Sequence, residues 1–192
     1  MTSLRAATHT SLSLVGDELR SVIDLLASGE DDALDEFADA VAGASRVFLM
    51  GAGRSGIALR MTAMRLMHLG LVVHVVGETT TPAIGAGDLL IVASGSGTTG
   101  SVVRAATTAH AVGATVCAIT TASDSPLVAV ARVVVQVPAA AKLDRSEQAS
   151  AQYAGSLFEQ AVVVIGDALF DALWRAGQQS ADELWPRHAN LE

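Results

Sequence analysis

Four hydroxyls and two glycines fill six consecutive positions, Ser94-Gly95-Ser96-Gly97-Thr98-Thr99. The turn follows the apolar run Leu89 to Ala93 and precedes Val102, Val103, Ala106 and Ala109, whose spacing is helical. Such a turn between strand and helix offers unpaired backbone N–H groups and a positive dipole end to an anion. It contains no Lys or Arg, so it suits a small phosphate monoester held by neutral dipoles better than a polyanion held by counter-charge. Capping of the helix by Ser96 or Thr98 would need only one hydroxyl.

A second strand-to-helix turn, Gly51-Ala52-Gly53-Arg54-Ser55-Gly56, follows the strand-like run Val47 to Met50. It matches G-x-G-x-x-G, and Glu78 lies beyond the next strand where a ribose-binding acid would be sought. Dinucleotide binding and a plain tight turn are both open on this pattern. Against a dinucleotide stand the short chain and the hydroxyl turn, which such a fold does not require. Open parallel sheets bind ligands outside the carboxyl ends of their strands, so the two turns can share one crevice. Ser94, Gly95, Ser96, Gly97, Thr98 and Thr99 would then hold a phosphate, with Gly51, Gly53, Arg54 and Ser55 facing a polyol. Arg54 can also neutralise charge developing on an enediolate, or equally bind a carboxylate of the structure.

Glu159 lies between Phe158 and the apolar run Ala161 to Ile165. A carboxylate buried in an apolar helix is expected to have a raised pKa and to serve as a general base, the alternative being a structural pair with Arg. His68 falls near the end of the helix that starts at the first turn, where it can complement the helix dipole or move a proton. His74 is expected at a sheet edge or in the core, and His9, His110 and His188 on the surface. No Cys/His cluster has metal-ligand spacing, so a metal site is not expected.

The elements that must position these groups follow from periodicity. Apolar residues recur at helical spacing over 11–28 and 30–42. Strands are then predicted at 47–50, 72–76, 89–93, 115–119 and 133–137, alternating with helices at 55–69 and 99–112 and a short one at 126–131. Gly43, Gly70 and Gly113 sit where left-handed helix caps are expected. A polar loop at 138–147 precedes a long helix at 150–176 and a surface tail at 177–192. The expected architecture is a single α/β domain, 1–192, with N-terminal helices in 1–45 and a core at 46–137. Its form is a three-layer αβα sandwich around a five-stranded parallel sheet.

Composition narrows the partners. There are 20 acidic and 12 basic residues, and the net charge of −8 opposes nucleic acid and anionic membranes. Residues 1–45 hold only Arg5 and Arg20 against nine acids, unlike a DNA-binding head. The apolar stretch from Gly155 to Trp174 is interrupted by Glu159, Asp167 and Asp171, so it is expected in a core or subunit interface rather than in a membrane. The lone Cys117 excludes a disulfide framework and favours the cytoplasm. A small-molecule partner is expected.

Ser94 to Thr99 resembles the S-x-S-G-x-T phosphate motif of the sugar isomerase (SIS) domain family, and Gly51 to Gly56 resembles its first loop. The blocks Met64 to Gly70, Val75 to Pro82 and Gly155 to Gln160 are similar to those of the 6-phospho-3-hexuloisomerases within that family. The resemblance implies a cofactor-free isomerase acting through a cis-enediol on D-arabino-hex-3-ulose 6-phosphate and fructose 6-phosphate, in the ribulose monophosphate route of formaldehyde fixation. It implies catalytic roles for Glu159 and His68, with His68 able to reach a neighbouring subunit's site. Glu78 would orient substrate hydroxyls or pair across an interface, and the assembly would be a homo-oligomer, a tetramer of paired dimers. Arabinose 5-phosphate and sedoheptulose 7-phosphate isomerases, or a non-catalytic sugar-phosphate sensor, are the competing expectations.

Overall fold

Five runs rich in Val, Leu and Ile form one parallel sheet in the computed structural model, which describes residues 4–29, 32–140 and 150–191. The strands are β1 (Val47–Gly51), β2 (Val73–Val75), β3 (Leu89–Ala93), β4 (Thr115–Thr120) and β5 (Val133–Gln136). Their order is β2-β1-β3-β4-β5, with Val47 in register with both Val73 and Leu89. Strand order therefore reverses between β1 and β3, and a crevice opens beyond their carboxyl ends. Those ends carry the two turns singled out by their residue types.

Side chains of a strand alternate between faces, and the core divides accordingly. Val47, Leu49, Leu89, Ile91, Cys117 and Ile119 point toward one helical layer. It is made by α1 (Leu4–Leu26), α2 (Ala33–Ala42), α3 (Gly53–His68) and α5 (Ser156–Gly177). Phe48, Leu90, Val92, Val116 and Ala118 face the other layer, α4 (Gly100–Ala111) and the 3-10 turn Val128–Val130. β3 is buried throughout, as the central strand of a sheet covered on both faces must be.

Several boundaries differ from those read in the sequence. α1 starts at Leu4 rather than Ser11, and β2 is cut to three residues at the sheet edge. Gly70 and Gly113 adopt φ of +91° and +81°, as C-caps in left-handed conformation do, whereas Gly43 is right-handed at φ −86°. α5 begins at Ser156 and not near Ser150, because Ala154 takes φ +53° and breaks the helical path. The tail beyond Gly177 is not free surface. Ser180 and Glu183 form a capping box that starts α6 (Ala181–Leu184), Leu184 is buried, and Arg187 Nη1 donates to the His68 carbonyl at 3.1 Å. The expected polar loop at 138–147 lies outside the described residues from 141 onward.

Candidate active site

β3 ends in the hydroxyl turn, and the turn is held from behind. Gly95 O accepts Thr120 Oγ1 at 3.1 Å and Thr121 Oγ1 at 2.8 Å, and Gly97 O accepts Leu127 N at 3.2 Å. Turning these carbonyls toward β4 and the loop after it leaves the opposite side for groups that donate. Gly97 has φ +64°, and a Cβ there would collide with the Ser125 side chain, so both conformation and space demand glycine. Ser94 Oγ meets Thr99 Oγ1 at 2.9 Å, and Ser96 Oγ meets Thr98 Oγ1 at the same distance. None of these hydroxyls caps α4, whose N-cap Thr99 makes no side-chain capping bond.

The first turn explains its own glycines. A Cβ on Gly56 would lie 2.5 Å from the Gly51 carbonyl oxygen, so α3 can start hard against β1 only if both residues are glycine. Gly53 adopts φ +59° at the start of α3, and Ala52, the N-cap, has no side chain with which to cap. Gly155, the N-cap of α5, is likewise uncapped by a side chain. Residues at the starts of α3 and α5 and the turn before α4 line one cleft of about 190 Å³. Helix N-termini favour anions, so three dipoles reinforce the hydroxyls here.

Arg54 and Glu159 meet in this cleft. Arg54 Nε lies 3.1 Å from Glu159 Oε2, and Arg54 Nη1 donates to Ser156 Oγ at 3.1 Å. The Glu159 side chain is about 20% exposed and stands in the first turn of α5. Its surroundings are thus a guanidinium and a helix N-terminus on one side and Phe158 on the other, not the wholly apolar helix interior expected from the sequence. The arrangement provides a carboxylate base and a cation side by side next to an anion cradle.

Gly53, Arg54, Ser55, Ser94, Gly95, Ser96, Thr99 and Glu159 come together in the cleft, while Gly51 lines the adjoining hollow under α3. Gly97 and Thr98 shape the turn without lining it. Glu78 pairs with Arg60 of α3, Oε1 to Nη1 at 2.5 Å, away from the hydroxyl turn. His68 is not brought to the cleft of its own chain. It lies at the far end of α3, about 20 Å along the helix axis from Gly53. There it is 4% exposed and stacked on His188 with ring centroids 4.0 Å apart, and its Nδ1 has no hydrogen-bond partner among the described residues. Burial, then the nearby His188 and Arg65, push its imidazole below the usual histidine value and toward the neutral form.

Phe158 and Ser156 line or brace the cleft without having been singled out individually. Their signal was position alone, in the first turn of the helix that carries Glu159. Phe158 supplies a wall, since a Cβ on Gly95 would touch its ring at 3.4 Å. His74 is a sheet-edge residue 5.0 Å from the Phe48 ring, as expected. Among the described residues no group of His, Cys, Asp and Glu is arranged to hold a metal ion, and no helix is long and apolar enough to cross a membrane.

A parallel sheet in the order 2-1-3-4-5 with a hydroxyl-rich turn at its reversal point defines an open α/β class of domain, and residues 40–158 match the SIS domain family, to which the chain belongs. Particular relatives are closer than the class. A protein of Mycobacterium gastri named 3-hexulose-6-phosphate isomerase is 55% identical over 182 residues, covering 95% of this chain and 90% of its own. The protein of that name from Bacillus subtilis is 36% identical, covering 84% and 88%. Among solved structures, a hypothetical protein from Methanococcus jannaschii superimposes with a TM-score of 0.83 at 29% identity over 95% of this chain and 99% of its own. That structure was described as inferring a molecular function of 3-hexulose-6-phosphate isomerase.

Proposed function

We propose that this chain is a 3-hexulose-6-phosphate isomerase, interconverting D-arabino-hex-3-ulose 6-phosphate and fructose 6-phosphate through a cis-enediol. The observation that carries the chemistry is the pairing of Glu159 with Arg54 at 3.1 Å beside the hydroxyl turn, and kinship with isomerases of that name selects the substrate. The C6 phosphate sits in the cradle of Ser94, Ser96 and Thr99 at the start of α4. Glu159 then removes the C2 proton, electrons move into a C2–C3 enediolate, and Arg54 stabilises its charge. Return of the proton to C3 gives fructose 6-phosphate. The hydroxyl proton must pass from O2 to O3, and a neutral imidazole can accept one proton while donating another. His68 fits that role only toward a neighbouring subunit's cleft, since in its own chain it is at the other end of α3.

A homo-oligomer, a tetramer of paired dimers, is part of the proposal. It is supported by exposed Ile57, Met61 and Met64, which recur along one stripe of α3 beside the cleft, and by the exposed Leu4, Leu12 and Leu14 of α1. A cytoplasmic place in the ribulose monophosphate route fits the single cysteine, whose buried thiol is pushed up to about 12 and is inert as a result. The test is turnover of a panel of sugar phosphates without added metal or nucleotide. Fructose 6-phosphate should yield the 3-ketose, with arabinose 5-phosphate and sedoheptulose 7-phosphate left unchanged. Preferential turnover of either of the latter would contradict the assignment.

A further inference from the structure

The segment 150–155, which leads into α5, has no regular structure of its own and includes the left-handed Ala154. It is tied down by one carboxylate from the opposite end of the chain. Glu18 of α1 accepts Ser150 Oγ at 2.7 Å, Ala151 N at 2.7 Å and Gln152 Nε2 at 2.9 Å. Gln152 and Gln160 then exchange amide hydrogen bonds, with Gln160 Nε2 donating to Gln152 Oε1 at 2.8 Å and the reverse bond at 3.3 Å. Ser156 Oγ donates back to Tyr153 O at 2.8 Å and accepts from Arg54. Two runs of hydrogen bonds thus meet in this segment, one from Glu18 through Gln152 to Gln160, the neighbour of Glu159, and one from Tyr153 through Ser156 to Arg54, and the backbone at 152–153 joins them. Burial raises the Glu18 carboxyl, and the bonds from Ser150, Ala151 and Gln152 outweigh it, holding the group below its usual value and so ionised.

We propose that Glu18 is a positioning residue for the isomerisation, its carboxylate fixing the segment that sets where α5 starts and where Glu159 stands. The inference rests on the reading of Glu159 as the base. An ionised carboxylate meets three donors of the segment at once, and charge-assisted bonds of this kind are the strong ones. Without it, the side-chain bonds that remain between the segment and the rest of the described residues are the Gln152–Gln160 exchange and the Ser156 turn at Tyr153, the Gln152 N to Ser150 Oγ bond being internal to the segment. A base misplaced by a fraction of an ångström loses rate while the phosphate cradle, built on β3 and α4, keeps its affinity.

Steady-state turnover of fructose 6-phosphate and of its C3-deuterated form tests this in Glu18→Ala, Glu18→Gln and the adjacent surface variant Asp17→Ala. Glu18→Ala should lower kcat by about tenfold to a hundredfold. KM and the inhibition constant of inorganic phosphate should stay within about twofold of wild type. The deuterium isotope effect on kcat should be at least as large as in wild type, and Glu18→Gln, which keeps an acceptor oxygen, should recover part of the rate. Asp17→Ala should behave as wild type. An unchanged kcat in Glu18→Ala overturns the proposal, as does a loss that tracks the folded fraction seen in thermal unfolding, or a reduced isotope effect. If Glu18→Ala does not fold, Glu18→Gln and Gln152→Ala carry the same comparison. Full activity of Glu159→Gln strikes the underlying reading instead, and it is read in a separate variant, so the two failures are told apart.

Discussion

Ser94 is buried to within 4% of full exclusion, and its hydroxyl meets Thr99 Oγ1 inside the cleft. A bound phosphate monoester would take the donated proton of one or both, at about 1.5–3 kcal/mol for a hydrogen bond to a charged group. Ser94→Ala is therefore expected to raise both KM and the inhibition constant of inorganic phosphate by about tenfold, with a smaller change in kcat. Steady-state kinetics with phosphate as competitor measures this, and an unaltered phosphate constant would remove Ser94 from the cradle. Residues of this kind were legible in the sequence because their chemistry is local: a hydroxyl turn between strand and helix declares itself. Partners distant in the chain were not. Nothing near Glu159 announces Arg54, and nothing near Glu78 announces Arg60; both pairings exist only because α3 passes close by. Glu18 carried no signal at all, being one acid among many on an amphipathic helix.

At the scale of elements, the cleft is a meeting of helix starts. α3 and α5 share an extensive packed surface, and Gly166 of α5 sits so close to α3 that a Cβ would collide with Thr62. That close approach carries the first turn of α5, with Glu159, to the first turn of α3, with Arg54. The existence and type of most elements followed from periodicity, while their limits depended on contacts. α5 starts at Ser156, after the left-handed Ala154, and the tail is an element docked on the end of α3. The hydroxyl turn is the most constrained connection. Gly97→Ala would place a side chain at φ +64° and into Ser125, and left-handed backbone alone costs about 1–2 kcal/mol for a residue with a Cβ. The expected outcome is a Tm lower by several degrees together with weakened phosphate inhibition. Thermal unfolding and inhibition measured on one preparation check it, and a wild-type Tm would contradict the geometry of the turn.

Over the whole molecule, the candidate cleft and a partly buried ion pair stand at opposite ends of the sheet. The cleft lies beyond the carboxyl ends of β1 and β3, and the entrances to the same two strands are joined by Arg46 and Asp88. Asp88, 3% exposed, accepts Arg46 Nε at 2.9 Å and Gly85 N at 2.8 Å. The Arg46 hydrogen bond, working against burial, holds the Asp88 carboxyl below the usual carboxylate value. Because the folded value lies under the unfolded one of about 3.9, this contribution is complete above that pH and is lost as pH falls through the lower folded value. Arg46→Ala should accordingly lower Tm by several degrees near neutral pH, and the gap from wild type should narrow as pH drops below about 4. kcat should stay close to wild type, because the pair is remote from the cleft. Thermal unfolding across pH checks this, and a gap that widens in acid would have the wrong sign for the pair.

In the proposed reaction the carbonyl of fructose 6-phosphate moves between C2 and C3 with Glu159 as the base. Proton and carbon NMR of fructose 6-phosphate incubated with the purified protein in deuterated water tests it most directly, with Glu159→Gln beside the wild type. Wild type should form the 3-ketose and wash deuterium into C3 of the recovered fructose 6-phosphate. Glu159→Gln should slow both by at least about a hundredfold, in the range that loss of a general base produces. Fructose 6-phosphate recovered unchanged from the wild type, or conversion by Glu159→Gln at the wild-type rate, would contradict the account.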